Sequence, residues 1–399
     1  MSQELAINGG KPVREALLPY GHQWIDEEDI KAVIEVLHSD WITQGSKVAE
    51  FEKEFANYVS ARYAVAVNSG TAALHTACFA AKIEKGDEAI TAPITFVASA
   101  NCVLYQGGTP VFADIEADTL NIDPKEIKKK ITKKTKALIP VDFTGRPVDL
   151  EKILQIAKNN NLIIIEDASH ALGATYKGSK IGSISDMTIF SFHPVKHITT
   201  GEGGMITTNN KEYYERLKLF RTHGITKDKD KLLNYDGPWY YEMQELGYNY
   251  RLTDFQCALG LSQLKKIDRI IQRRREIVKK YNFEFKDIPE IKIPQINPSD
   301  SNPAWHIYMV QLNLGKLKVG RREIFEALRA ENIGVNVHYI PVHLQPYYQN
   351  KYGYQPGDFP VAENYYSRAI TLPVFPKMTD KDVDDVIKAV KKVINYYKK

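Results

Sequence analysis

The chain has 399 residues, 43% of them apolar and 26% charged, with 53 Lys and Arg against 49 Asp and Glu for a net charge of +4. This is the composition of a folded chain of about two domains, which excludes disorder and any need for disulfide or metal staples. So small a charge excess gives no ground for nucleic-acid or membrane binding, and three scattered cysteines, Cys78, Cys102 and Cys257, offer no metal-ligand pattern and fit a reducing compartment.

The N-terminal MSQELAINGGKPVREALLPY lacks the apolar core of a signal peptide. No run approaches the ~18 apolar residues that span a bilayer, so a cytoplasmic protein is expected. Ala64–Val67 reads as a strand and Thr71–Ala81 as a helix. Ala89–Ala92 reads as a strand, Val97–Tyr105 as a helix and Pro110–Ala113 as a strand. Ala137–Val141 and Leu162–Glu166 read as strands on either side of a helix over Leu150–Asn159. Thr188–Phe192 and Met205–Thr208 read as two more strands. Strands recurring with intervening helices predict an α/β fold with a mainly parallel sheet covered on both faces.

Arg251–Tyr281 has the spacing of one long amphipathic helix, with Leu252, Phe255, Leu259, Leu264 and Ile267 on its apolar face. Ile288–Pro303, rich in Pro and Asn, reads as a connector. Ile307–Leu312 then reads as a strand, Arg321–Glu331 as a helix, Val335–Tyr339 as a strand and Asp380–Tyr397 as a terminal helix. This change of character predicts a large domain over 1–268 and a smaller C-terminal α+β domain over 269–399. The Lys-rich runs Lys125–Lys136 and Lys391–Lys399 read as solvated faces.

Three segments could carry chemistry. In Val67-Asn68-Ser69-Gly70-Thr71-Ala72-Ala73 a strand gives way to a helix through small residues, which makes an anion site or a plain helix cap. In Glu166-Asp167-Ala168-Ser169-His170 an acid stands at the end of a very apolar strand. There it could face a ligand crevice and hold a cationic ring nitrogen, or simply cap a helix. In Ser191-Phe192-His193-Pro194-Val195-Lys196 a lysine sits between a proline and the turn Thr199-Thr200-Gly201-Glu202-Gly203-Gly204. It could form a Schiff base or be a surface charge. His193 and His197 have no completing pair for a metal. Together, an anion cradle near 70, an acid at 167 and an amine at 196 match what pyridoxal phosphate needs.

With these motifs the chain resembles the DegT/StrS family of sugar aminotransferases, which have the aspartate-aminotransferase fold (fold type I). The motifs are NSGTAALH at 68–75, PITFVASAN at 93–101, EDASHALGA at 166–174, SFHPVK at 191–196 and GYNYRLTDFQCALG at 247–260. PYGHQWIDEEDI at 19–30, SDWITQG at 39–45, WYYEMQELGYNYRLTD at 239–254, HYIPVHLQPYY at 338–348 and LPVFPKMTD at 372–380 are similar to the branch called PseC. That branch aminates C4 of UDP-4-keto-6-deoxy-N-acetyl-β-L-altrosamine on the way to pseudaminic acid, a sugar of flagellins and other surface glycans. The resemblance implies pyridoxal 5′-phosphate as cofactor, no metal, glutamate as donor and 2-oxoglutarate as product.

By the same resemblance Lys196 corresponds to the Schiff-base lysine and Asp167 to the acid that pairs with the pyridine nitrogen. His170 stands where many members have Gln beside the cofactor hydroxyl. Phe96 corresponds to the aromatic stacked on the ring, and Gly70, Thr71 and Ser191 to phosphate ligands. Asn249 corresponds to an asparagine that reaches the phosphate across a dimer interface, which implies a homodimer with shared active sites. Tyr20, Ile42-Thr43-Gln44-Gly45, Ser69 and His338-Tyr339-Ile340-Pro341, with Ser191 and Asn249, match segments that line the nucleotide-sugar pocket. Lys196 speaks against the dehydratase branch, where His replaces it. The short stretch ahead of residue 70 leaves no room for the DNA-binding domain of a regulator with an aminotransferase-like body. Another family member with a different nucleotide-linked keto sugar is the alternative.

Overall fold

The computed structural model describes residues 4–295 and 300–399. Seven strands form its central sheet: β1 (Tyr63–Val67), β2 (Glu88–Thr91), β3 (Thr109–Phe112), β4 (Thr135–Ile139), β5 (Ile163–Asp167), β6 (Met187–Ser191) and β7 (Gly204–Thr208). They lie in the order β1-β7-β6-β5-β4-β2-β3. β7 runs antiparallel to both neighbours, and the other pairings are parallel.

The strands are mostly apolar because both faces are covered. Successive side chains point to opposite faces, so each strand feeds two cores. Ala64, Ala66, Leu138, Ile164 and Phe190 join the core on one side. Val65, Val67, Ile139, Ile165 and Ile189 join the core on the other. The second core packs beneath the helix Gly70–Ala80, which is buried along most of its length.

A third core gathers Ile277 to Ile394 around an antiparallel sheet of Ile291–Lys292, Tyr308–Leu312 and Ala369–Leu372. It also takes in Leu5 and Leu18 from the N-terminal segment. Chain from the C-terminal third crosses the other way: Val342, Tyr348, Phe359, Ala362 and Tyr365 pack into the first core. Residues 296–299 of the expected connector Ile288–Pro303 lie outside the described residues.

Two expectations need correction. The single helix over Arg251–Tyr281 is two, Asp254–Lys265 and Ile267–Phe285, and the chain leaves helical geometry at Lys266. The Lys266 ammonium is drawn to Asp29 and Asp26, each at 2.6 Å, anchoring the helix Glu27–Leu37. Val335–Tyr339 is not a strand. Only Asn336 makes a bridge, to Thr371, before the chain turns into a cavity.

One buried ion pair holds the N-terminal segment to the third core. Glu331, fully buried, accepts the Ala6 and Val13 amides at 2.9 Å each and pairs with Lys392 at 2.8 Å. The Leu18 amide donates to Asn332, the Gly334 amide donates back to Leu18, and Tyr20 follows two residues later. Glu331→Ala leaves a buried ammonium and two amides unpaired, which is expected to cost about 3–5 kcal/mol in urea unfolding. An unchanged midpoint would show that the segment is held by its apolar contacts alone.

Candidate active site

The carboxyl ends of β1, β5 and β6 open onto one cavity of about 470 Å³, where ligands of open α/β sheets bind. Ser69, Gly70 and Thr71 form its rim at the end of β1. Ser69 caps the helix Gly70–Ala80 by accepting the Ala72 amide at 3.0 Å. The amides of Gly70 and Thr71 belong to the first turn and have no partner within the helix. Position 70 tolerates no side chain, since a Cβ there would stand 2.9 Å from the Ser191 Cβ. Ser191, at the end of β6, therefore touches the helix terminus directly, an arrangement suited to an anion.

Asp167 closes β5 at the cavity floor. Its Oδ2 accepts the Ser99 hydroxyl at 2.6 Å and its Oδ1 the Ser169 amide at 3.2 Å. Lys196 stands beyond β6, open to the cavity and otherwise enclosed by protein. Enclosure lowers its pKa to about 8; the negative Asp167 opposes this and the positive Arg274 adds to it.

His170, Tyr339, His338, Tyr20 and Phe96 supply the remaining expected wall. The Tyr339 hydroxyl lies 3.2 Å from His170 Nε2. His170 Nδ1 is buried and has no partner among the described residues. Burial, reinforced by the Lys196 charge, holds the His170 pKa well below the usual imidazole range. The same two causes lower that of His338 to about 3. His338 Nδ1 engages the Thr371 hydroxyl at 2.9 Å, and the Tyr20 ring lies 5.4 Å from its own. Phe96 is 57% exposed although flanked by core, because its ring faces the cavity.

Ile42, Thr43, Gln44, Gly45, Asn249, Ile340 and Pro341 do not line this cavity within one chain. Ile42–Gly45 and the segment after Asn249 meet each other instead. Asp254 donates its amide to the Ile42 carbonyl at 3.0 Å and accepts the Gly45 amide at 2.8 Å. Several cavity residues have no signal of their own in the sequence, among them Ser99, inside PITFVASAN, and His306, one of ten histidines with nothing to mark it.

These residues fit pyridoxal phosphate. The cradle at Gly70 suits a phosphate, Asp167 suits a ring cation, and the orphaned His170 Nδ1 awaits a polar partner. Phe96 presents an exposed aromatic ring, and Lys196 presents an amine of lowered basicity. Residues 23–391 match the model of the DegT/DnrJ/EryC1/StrS aminotransferase family. The chain belongs to this family. It is 47% identical over 96% of its length to the spore coat polysaccharide biosynthesis protein SpsC of Bacillus subtilis, covering 98% of that protein. It is 39% identical over 96% of its length to the UDP-4-amino-4,6-dideoxy-N-acetyl-beta-L-altrosamine transaminase of Campylobacter jejuni, covering 99% of it. Its structure resembles Helicobacter pylori PseC, an aminotransferase of pseudoaminic acid biosynthesis, with a TM-score of 0.89 and 35% identity over 96% of this chain and 100% of that one. It also resembles the PLP form of the Streptococcus pneumoniae sugar aminotransferase Spr1654, at TM-score 0.88 and 33% identity over 95% and 99% of the two chains.

The DegT/DnrJ/EryC1/StrS chain is thus a pyridoxal-phosphate-dependent sugar aminotransferase of fold type I. No helix among the described residues is long and apolar enough to cross a membrane. Borohydride reduction of the holoenzyme is expected to fix pyridoxyl on Lys196 and on no other lysine, as read by peptide mapping. Lys196→Arg is expected to abolish transamination as fully as Lys196→Ala, because a guanidinium stays protonated at neutral pH. Label on another lysine would refute the assignment.

Proposed function

We propose that this enzyme aminates C4 of UDP-4-keto-6-deoxy-N-acetyl-β-L-altrosamine, taking the amino group from glutamate and releasing 2-oxoglutarate, a step toward pseudaminic acid for flagellin and other surface glycans. The observation that carries this reading is a shared wall. Tyr20 from one end of the chain and Asn336 to Tyr339 from the other close the cavity that contains Lys196 and Asp167. The sequence around both stretches resembles the branch that makes this sugar. The Campylobacter relative and the Helicobacter structure support it. SpsC, at 47% identity and under a different name, favours a second reading: the same transfer to another nucleotide-linked keto sugar.

Pyridoxal phosphate, when bound, supplies an electron sink for the pair left when a proton departs from the carbon next to nitrogen. Lys196 moves that proton. With a pKa of about 8, a useful share of its Nζ is free amine near neutral pH and can take and return it. Asp167, fixed by Ser99 and Ser169, would pair with the ring cation. Gly70, Thr71 and Ser191 would hold the phosphate, Phe96 would cover the ring, and neutral His170 would meet the ring hydroxyl. With Nδ1 engaged by Thr371, neutral His338 leaves Nε2 for the sugar nucleotide.

On this reading the enzyme is a homodimer in the cytoplasm, and its partner copy completes the site. Asn249 reaches the partner's phosphate cradle, while Ile42, Thr43, Gln44, Gly45, Ile340 and Pro341 belong to the nucleotide-sugar pocket. The bonds to Asp254 hold Ile42–Gly45 against the segment that follows Asn249, and the adjacent Trp41, Ile42, Leu246 and Tyr248 are exposed. A panel of nucleotide-linked keto sugars, each incubated with glutamate and read by mass spectrometry, tests the substrate. The altrosamine precursor is expected to give the 4-amino product fastest, and a clear preference for another sugar would establish the second reading. His338→Ala is expected to raise the KM for the keto sugar about ten- to hundredfold. The glutamate half-reaction, followed by absorbance, should stay unchanged, and equal damage to both halves would place His338 at the cofactor.

A further inference from the structure

Two carboxyl groups stand close together behind the cavity, and neither has a salt-bridge partner among the described residues. Asp142 lies just past β4 and Glu166 is the residue before Asp167 on β5, and both are fully buried. Asp142 Oδ1 accepts the Val148 amide at 2.9 Å, and Glu166 Oε2 accepts the Thr188 hydroxyl at 3.0 Å. Asp142 Oδ2 and Glu166 Oε1 have no donor among the described residues. Yet the two side chains stand side by side, because the Asp142 amide bonds the carbonyl of Asp167, the neighbour of Glu166, and each carboxyl acts on the other. Their other polar neighbours are the Ser185 hydroxyl and the acid Asp167, so the surroundings add negative charge rather than positive.

We propose that Asp142 and Glu166 hold one shared proton, and that the resulting acid–carboxylate pair is a positioning element for Asp167 and His306. Two ionised carboxylates in contact inside a dry core repel, and neither can donate the hydrogen bond their geometry calls for. One proton removes the repulsion and supplies the donor. Burial first, then the charge of Glu166, drives Asp142 well above the usual carboxylate range, and burial raises Glu166 as well.

The pair grips two walls of the cavity. The Asp142 amide donates to the Asp167 carbonyl at 3.1 Å, and the Asp167 amide donates to the Pro140 carbonyl at 2.8 Å. Beyond Asp142 the chain turns through Thr144, whose φ is +66°. The Thr144 carbonyl accepts the His306 amide at 2.8 Å, and the Gly145 carbonyl accepts the Ala304 amide at 2.9 Å. The Asp142 carboxyl closes this turn through Val148 and joins it to β5 through Glu166.

The test compares the holoenzyme with Asp142→Asn, whose carboxamide keeps the Val148 acceptor and donates to Glu166 without a titrating proton. The unfolded Asp loses its proton near pH ~4, while the folded pair keeps it. Above that pH the folded wild type therefore binds one more proton than the unfolded chain, and its stability falls as pH rises. The ratio of unfolding constants, wild type over Asp142→Asn, is expected to rise about tenfold per pH unit between about pH 5 and 8. Glu166→Gln, which replaces the proton from the other side, should give the same slope. A flat ratio overturns the shared proton. An infrared difference spectrum, wild type minus Asp142→Asn, provides a check free of unfolding. It should show one protonated-carboxyl band that shifts in D2O, and its absence also overturns the proposal. Asp142→Ala is expected to weaken pyridoxal phosphate binding about tenfold, with Asp142→Asn restoring it. Equal loss in both variants, or loss in neither, refutes the positioning role.

Discussion

An amine and a carboxylate facing one cavity impose the constraint that orders this molecule. Lys196 serves as a base only if its proton is loosely held, which enclosure achieves. Asp167 serves as a partner for a ring cation through its negative charge, with its carboxylate held in place by hydrogen bonds from Ser99 and Ser169. The two demands oppose each other, because the Asp167 charge raises the Lys196 pKa while enclosure lowers it. Burial outweighs the Asp167 charge, and Arg274 adds to the lowering from behind. Its guanidinium is fully buried, bonds the Trp305, His306 and Val374 carbonyls, and adds positive charge near the amine.

The imidazoles follow the same logic. Burial keeps His170, His197, His306 and His338 neutral, with the Lys196 charge acting in the same direction on each. Neutral rings direct hydrogen bonds without adding charge to a cavity whose chemistry depends on one acid and one amine. The acid pair beneath β4 and β5 extends the scheme into the core, where a single proton removes a repulsion that would otherwise distort the floor.

Much of this was legible in the sequence because the sheet writes itself plainly. Strands covered on both faces are continuous apolar runs, so β1 to β7 fall within two residues of their expected places. The helices Glu27–Leu37 and Ser46–Val59, which no expectation covers, are both amphipathic, so their periodicity was legible too. The break at Lys266 was invisible because Asp26 and Asp29, which draw that lysine out of line, lie far off in sequence. Val335–Tyr339 looked like a strand because it alternates apolar and polar residues, but its polar side chains serve the cavity. In the site, Lys196, Asp167 and Gly70 were legible from motif and strand end. Ser99 and His306 were not, because each acts through one contact that only the fold creates.

The most direct test is the titration of Lys196 itself. Cofactor-free protein carrying lysine labelled with 13C at Cε, assigned by comparison with Lys196→Ala, reports the amine's midpoint by NMR. The account requires a midpoint near 8. It also requires a further fall in Asp167→Asn, where the opposing negative charge is gone. A midpoint close to the ordinary lysine value of about 10.4 would contradict it, as would a midpoint that ignores the loss of Asp167.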